Sequence, residues 1–197
     1  YSMTKPITSV AIMMLYEEGH FQLDDPVSRF IPEFKDMEVL DSVEDSQAKT
    51  GPADREMTVR DLLRHTSGLT YDFSGGPVAE MYQKADLYSA ESLAEAVKRL
   101  AEIPLMYQPG EVWNYGFSTD VLGYLVEVIA GQPFDSFLQD RIFDPLQMVD
   151  IGFDAWPEKT DQYAALYRAT EDGKYEVATN SIIARLDARA KSRKICS

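Results

Sequence analysis

The chain has 197 residues, 45% hydrophobic and 26% charged. That balance fits one ordinary globular domain, or part of a larger one, and excludes intrinsic disorder as the default. The net charge of −14 argues against nucleic acid and anionic membrane surfaces, which both require clustered cations.

Taken in chain order, residues 4 to 18 read as a helix, with Ile7, Val10, Ala11, Met14 and Leu15 at helical spacing and Gly19 as its stop. Pro6 is tolerable there because it falls in the first turn. The stretch from Leu23 to Glu56, rich in Pro, Asp and Gly, reads as loop with short turns. Thr58 is predicted to cap a helix through Arg64, with Asp61 completing a capping box. Gly68, Gly75, Gly76 and Pro77 mark another loop. Ser89 is expected to cap a helix to about Glu102 that places Leu93, Ala96, Val97 and Leu100 on one face.

The clearest helix runs from Ser118 or Thr119 to Ala130, with Val121, Leu122, Leu125, Val126 and Ile129 as its stripe and Gly131 at its end. A shorter one spans Pro133 to Ile142. Tyr163 to Arg168 and Lys174 to Val177 flank Asp172-Gly173 as a hairpin. From Arg185 onward five basic residues and one acid give +4, against −18 for the rest. The expected organisation is therefore a body over 1–180 and a basic tail over 181–197. No apolar run approaches the roughly 18 residues of a membrane span. The chain begins at Tyr1 without a charged-then-apolar leader, and its compartment, cytoplasmic or periplasmic and secreted, stays open. Cys196 is the only cysteine, so no internal disulfide forms.

The residues with chemical potential start at Ser2-Met3-Thr4-Lys5. On a helix, positions i and i+3 share a face. A serine hydroxyl attacks well only when a neighbour takes its proton, and an amine can do this when partly dehydrated. A second candidate is Tyr115, within Trp113-Asn114-Tyr115-Gly116-Phe117 just ahead of the clearest helix. A phenol there can relay a proton between nucleophile and leaving group. Taken singly, each signal reads first as a solvated surface pair or a packed tyrosine, and the motif needs company. Two histidines, His20 and His65, and no paired-ligand spacing make a zinc site improbable. The Gly-x-Ser-x-Gly elbow of another esterase fold is absent.

Four blocks in order carry a family resemblance: the Ser-x-x-Lys motif, Leu62-Leu63-Arg64-His65-Thr66-Ser67-Gly68-Leu69, Gln108-Pro109-Gly110 with the Trp-x-Tyr segment, and Phe143-Asp144-Pro145-Leu146-Gln147-Met148. Together they resemble the serine β-lactamase-related family, closest to its family VIII carboxylesterases, over residues 1 to about 178. The resemblance implies an α/β (α+β) fold of the β-lactamase and penicillin-binding-protein type, partial and helix-rich, with most of its sheet-forming segments missing. It implies Ser2 as the acylated nucleophile, with Lys5 and Tyr115 activating it, and no metal or organic cofactor. The implied partner is a small-molecule ester or a β-lactam; oligomeric state stays open. Class C β-lactamases and their peptidase relatives usually carry Tyr-x-Asn where this chain has Phe117, and a phenyl ring offers no amide donor. That favours esters. The alternatives are β-lactamase or D-alanyl-D-alanine carboxypeptidase chemistry, or a binding module without catalysis.

His65 invites a Ser-His-Asp arrangement with Asp61 or Asp72, but the family's His-Thr-Ser-Gly segment reads as structural, with the histidine closing a helix. Lys49-Thr50-Gly51 matches the family's third motif but precedes the tyrosine motif, and reads as a loop coincidence. No later segment supplies that motif, whose strand gives the family the second N–H of its oxyanion hole. Losing one such donor typically costs on the order of 10²–10³ in rate. The expectation is therefore a truncated piece whose own turnover is open and whose uncovered apolar faces form a pairing surface.

Overall fold

The computed structural model describes residues 2–45, 47–153, 164 and 167–177. The 181–197 tail, with Cys196, and the start of the predicted hairpin at Tyr163 lie outside the described residues.

Helix α1 (Thr4–Glu17) forms where the spacing predicts, but its buried face is Thr8, Ala11, Ile12 and Leu15. Val10 is half exposed, so the inward stripe is turned away from the predicted one. Two 3₁₀ turns, Val27–Arg29 and Pro32–Phe34, then bury Val27, Ile31 and Phe34.

The segment read as loop contains a β-hairpin, β1 (Glu38–Glu44) and β2 (Gln47–Pro52), antiparallel with Glu44 opposite Gln47. Lys49-Thr50-Gly51 thus lies on a strand, not in a loop. Its pairing is with β1: Thr50 donates to Glu38 at 2.6 Å. Only Val39 of this ribbon is buried, and the register slips between Leu40 and Ser42. A ribbon that buries a single side chain has no apolar alternation for a sequence reading to find.

Helix α2 (Val59–Arg64) has the predicted capping box. The Thr58 hydroxyl accepts from the Asp61 N–H, and the Asp61 carboxylate accepts from the Thr58 N–H. Asp61 also receives both guanidinium branches of Arg55, at 2.7 and 3.0 Å, and the Thr66 hydroxyl. Burial pushes its pKa up, but Arg55, Thr58 and Thr66 outweigh that and hold it below the ordinary 3.8. A carboxyl depressed in the fold stabilises fully above its unfolded pKa and loses that contribution as pH falls through its folded value. Asp61→Asn is therefore expected to lower stability by about 1–2 kcal/mol at pH 7. The deficit should shrink toward pH 3, as denaturant unfolding at the two pH values will show.

Helix α3 (Gly76–Ala85) was not predicted; Val78, Ala79 and Tyr82 are its buried residues. Helix α4 (Leu93–Ala101) is capped by Ser92, whose hydroxyl accepts from the Glu95 N–H, rather than by Ser89, which ends a 3₁₀ turn. Helix α5 (Ser118–Ala130) ends at Gly131 as predicted. Around it pack α1, α2, α4 and α6 (Phe134–Leu138). The shorter predicted helix keeps α-geometry only through α6, then widens into a π-turn over Gln139–Phe143. Strands β3 (Tyr167–Ala169) and β4 (Tyr175–Val177) pair about the predicted turn.

Val121, Leu122, Leu125 and Val126 are all but fully buried, each contributing about 1.5–3 kcal/mol of transfer free energy. Helices dominate the described residues, and the sheets there are two two-stranded ribbons. No helix among them is long and apolar enough to cross a membrane.

Candidate active site

The first turn of α1 and the loop before α5 meet. Ser2 Oγ lies 2.6 Å from Tyr115 Oη. Lys5, one helical turn after Ser2, places its Nζ 4.8 Å from the centre of the Tyr115 ring. The Lys5 ammonium, aided by the hydrogen bond with Ser2, lowers the Tyr115 pKa. A phenol in that field gives up its proton more readily and can accept one from the serine hydroxyl. The three residues singled out from sequence thus stand together, half-exposed at one surface.

Tyr115 is positioned by the His-Thr-Ser-Gly-Leu block. The Asn114 N–H donates to the His65 carbonyl at 2.8 Å, and its side-chain amide donates to the Leu69 carbonyl at 2.9 Å. Behind them Ser67 and Ser118 share a buried hydrogen bond at 2.8 Å. Gly68 has φ +87°, and a Cβ there would stand 2.2 Å from the Tyr107 carbonyl oxygen. No side chain fits that crossing.

His65 closes α2 with its main-chain N–H in a left-handed conformation, φ 55°. Among the described residues its ring does not bond the last carbonyls: Nδ1 is buried without a partner there, and the ring packs 5.0 Å from Tyr115. Burial, reinforced by Lys5, lowers its pKa, so the neutral imidazole is favoured. Asp61 is occupied by Arg55, Thr58 and Thr66. A Ser-His-Asp arrangement does not form.

Phe117 is 3% exposed. It packs against Tyr71 at 4.7 Å and Tyr82 at 5.7 Å. Tyr71 in turn meets Tyr115 edge-on at 5.4 Å, and burial, with Asp120 and Tyr115 nearby, raises its pKa. Outside this cluster, Trp113 stacks on Tyr115 at 6.3 Å and Phe73 on Tyr71 at 5.0 Å, both largely exposed. Among the described residues no group of three or more His, Cys, Asp or Glu side chains could hold a metal.

Sequence reasoning passed over Asp120. It lies in the first turn of α5, 7% exposed, with Oδ1 unpaired among the described residues. Burial pushes its pKa up to about 7 against the opposing pull of Lys5. The available signal was an acid directly before Val121-Leu122 on the most apolar helix of the chain.

The Beta-lactamase family model matches residues 1–184. Esterase EstB of Burkholderia gladioli is 35% identical over 164 residues, which is 80% of this chain and 39% of EstB. The unliganded selenomethionyl structure of simvastatin synthase LovD from Aspergillus terreus superposes with a TM-score of 0.77 at 32% identity, covering 94% of this chain and 46% of LovD. EstCE1, described as a hydrolase with promiscuous acyltransferase activity, does so at 0.70 and 29%, covering 89% and 44%. The chain thus spans less than half the length of these relatives. With the match running from end to end of the described fold, the chain belongs to the Beta-lactamase family.

Proposed function

We propose that Ser2, Lys5 and Tyr115 are the acyl-transfer machinery of a carboxylesterase acting on small esters. The observation that carries this is the 2.6 Å contact between the Ser2 and Tyr115 hydroxyls beneath the Lys5 amine. In this reading the Tyr115 phenolate, stabilised by Lys5, takes the Ser2 proton as Oγ attacks the ester carbonyl. The Ser2 oxygen bonds to the carbonyl carbon, and the alkoxide of the collapsing tetrahedral adduct leaves with the proton held by Tyr115. Water, or a second alcohol, then attacks the acyl-Ser2 ester by the reverse proton path.

The preference for esters over lactams rests on Phe117. Its ring is enclosed by Tyr71 and Tyr82, so this position presents no amide to a lactam side chain. The esterase and acyltransferase relatives support the same class.

The test is a fluorophosphonate probe with peptide mapping, run beside a short-chain nitrophenyl ester and a chromogenic cephalosporin. Labelling at Ser2 with ester turnover above cephalosporin turnover is expected. A folded chain that takes no label would sink the proposal for these residues, and faster cephalosporin cleavage would reverse the substrate class.

A further inference from the structure

Four aromatic rings stand in an unbroken row beside the nucleophile. Phe73 stacks on Tyr71 at 5.0 Å, Tyr71 meets Tyr115 at 5.4 Å, and Tyr115 stacks on Trp113 at 6.3 Å. The hydroxyl of Tyr115 is the one that touches Ser2 Oγ. The outer rings are open to solvent, Phe73 at 73% and Trp113 at 67% exposure. Single exposed apolar side chains are ordinary on a protein surface. Two large rings at the ends of one row, with the nucleophile at its middle, form a patch.

The inner rings do not depend on the outer ones for their positions. Tyr71 is also held by Phe117, and Tyr115 by His65 and by the hydrogen bonds of Asn114. Each outer ring is instead oriented by the ring it stacks on, at 18° for Phe73 and 20° for Trp113, and leaves most of its own surface free. A surface ordered in this way before a ligand arrives loses little freedom on binding it.

The place of Tyr115 in the row says which part of an ester would lie there. If the assignment of Ser2, Lys5 and Tyr115 holds, the phenol hands its proton to the leaving alkoxide. The alcohol oxygen then comes within hydrogen-bond reach of Tyr115, and the group attached to it starts at the row. A flat ring laid against Trp113 gains stacking beyond the area it buries, which a saturated ring of the same size does not. Lys5, 4.8 Å from the centre of the Tyr115 ring, disfavours a cationic group. The net charge of −14 disfavours an anionic one.

We propose that this row is the alcohol-side subsite, that Trp113 and Phe73 determine its specificity, and that its preferred substrates are uncharged esters of aromatic alcohols.

Benzyl acetate and cyclohexylmethyl acetate share an acyl group and differ in the flatness of the ring. Benzyl acetate should have a kcat/KM about tenfold higher. Trp113→Leu keeps an apolar side chain and removes the π face, and should bring the ratio to about one, with the loss in KM. Phe73→Leu should lower the ratio in part. Methyl phenylacetate, the isomer with its ring on the acyl side, should be the poorer substrate of the two isomers. Equal kcat/KM for the two acetates, a ratio retained in both variants, or methyl phenylacetate as the better isomer each overturn the proposal and leave the esterase reading standing. Binding is read without turnover from the Trp113 indole N–H resonance, in a Trp156→Phe chain that holds no other indole. Benzyl alcohol should shift it saturably, at lower concentration than cyclohexylmethanol. No saturable shift with benzyl alcohol overturns the proposal. A saturable shift in a chain that takes no fluorophosphonate label upholds the aromatic subsite while the esterase reading fails.

Discussion

Tyr115→Phe should slow acylation of Ser2 by about 10²–10⁴-fold, the usual worth of a positioned general base, while Ser2→Ala abolishes it. The phenolic oxygen is the group hydrogen-bonded to the Ser2 hydroxyl. Lys5 lies over the ring rather than against the serine, so it is a poor substitute once the phenol is gone. The ring itself stays in Phe, and with it the contacts to His65, Tyr71 and Trp113, so stability should change little. The pH dependence gives a second check. Lys5 lowers the Tyr115 pKa below its ordinary 10, so the basic form accumulates, and labelling rises, before pH 10. That limb belongs to Tyr115 and should be missing from the residual rate of the Phe variant. A Phe variant that retains the limb would assign it to another group.

What the sequence disclosed and what it hid follow from where each signal comes from. Helix α5 was legible to within one residue because one apolar stripe and a glycine stop both lie along a single segment. The α2 capping box was legible for the same reason: Thr58 and Asp61 satisfy each other locally. Ser2 and Lys5 could be paired by helical spacing, but their meeting with Tyr115, 113 residues away, is a tertiary fact that only the ordered blocks of the family implied.

Other features had no local signature. The β1–β2 ribbon buries only Val39, so it carries no alternation. Glycines at 75 and 76 read as a loop, although Gly76 opens α3. Ser89 and Ser92 both suit a cap, and the choice between them is made by the 3₁₀ turn that precedes α4. Val10 matches the spacing of α1 as well as Ile12 does, yet its side lies half exposed. Asp120 was invisible for a different reason: its burial is unfavourable by itself, so no local pattern marks it.

The strongest structural dependence of the site runs through a residue with no side chain. Gly116, next to Tyr115, passes so close to the His-Thr-Ser-Gly-Leu block that a Cβ would lie 2.6 Å from the Leu69 carbonyl oxygen and 2.7 Å from the Thr70 Cα. Both are main-chain atoms, and neither can rotate aside as a flexible side chain would. They are also pinned, the Leu69 carbonyl by Asn114 and the Thr70 N–H by the Tyr82 hydroxyl. Gly116→Ala must therefore push the two segments apart, and a loss of about 3 kcal/mol is expected, at the upper end for overpacking. The displacement falls on Tyr115, one residue away, and a shift of about 1 Å at a reacting group is enough for a 10²-fold loss in rate. The two effects separate in one experiment. At a temperature where the variant is still folded by circular dichroism, Ser2 labelling should already be reduced by about that factor. A variant that loses stability yet labels at the wild-type rate would show that Tyr115 is held by Asn114 and the aromatic cluster alone, and that Gly116 serves the packing of the loop but not the base.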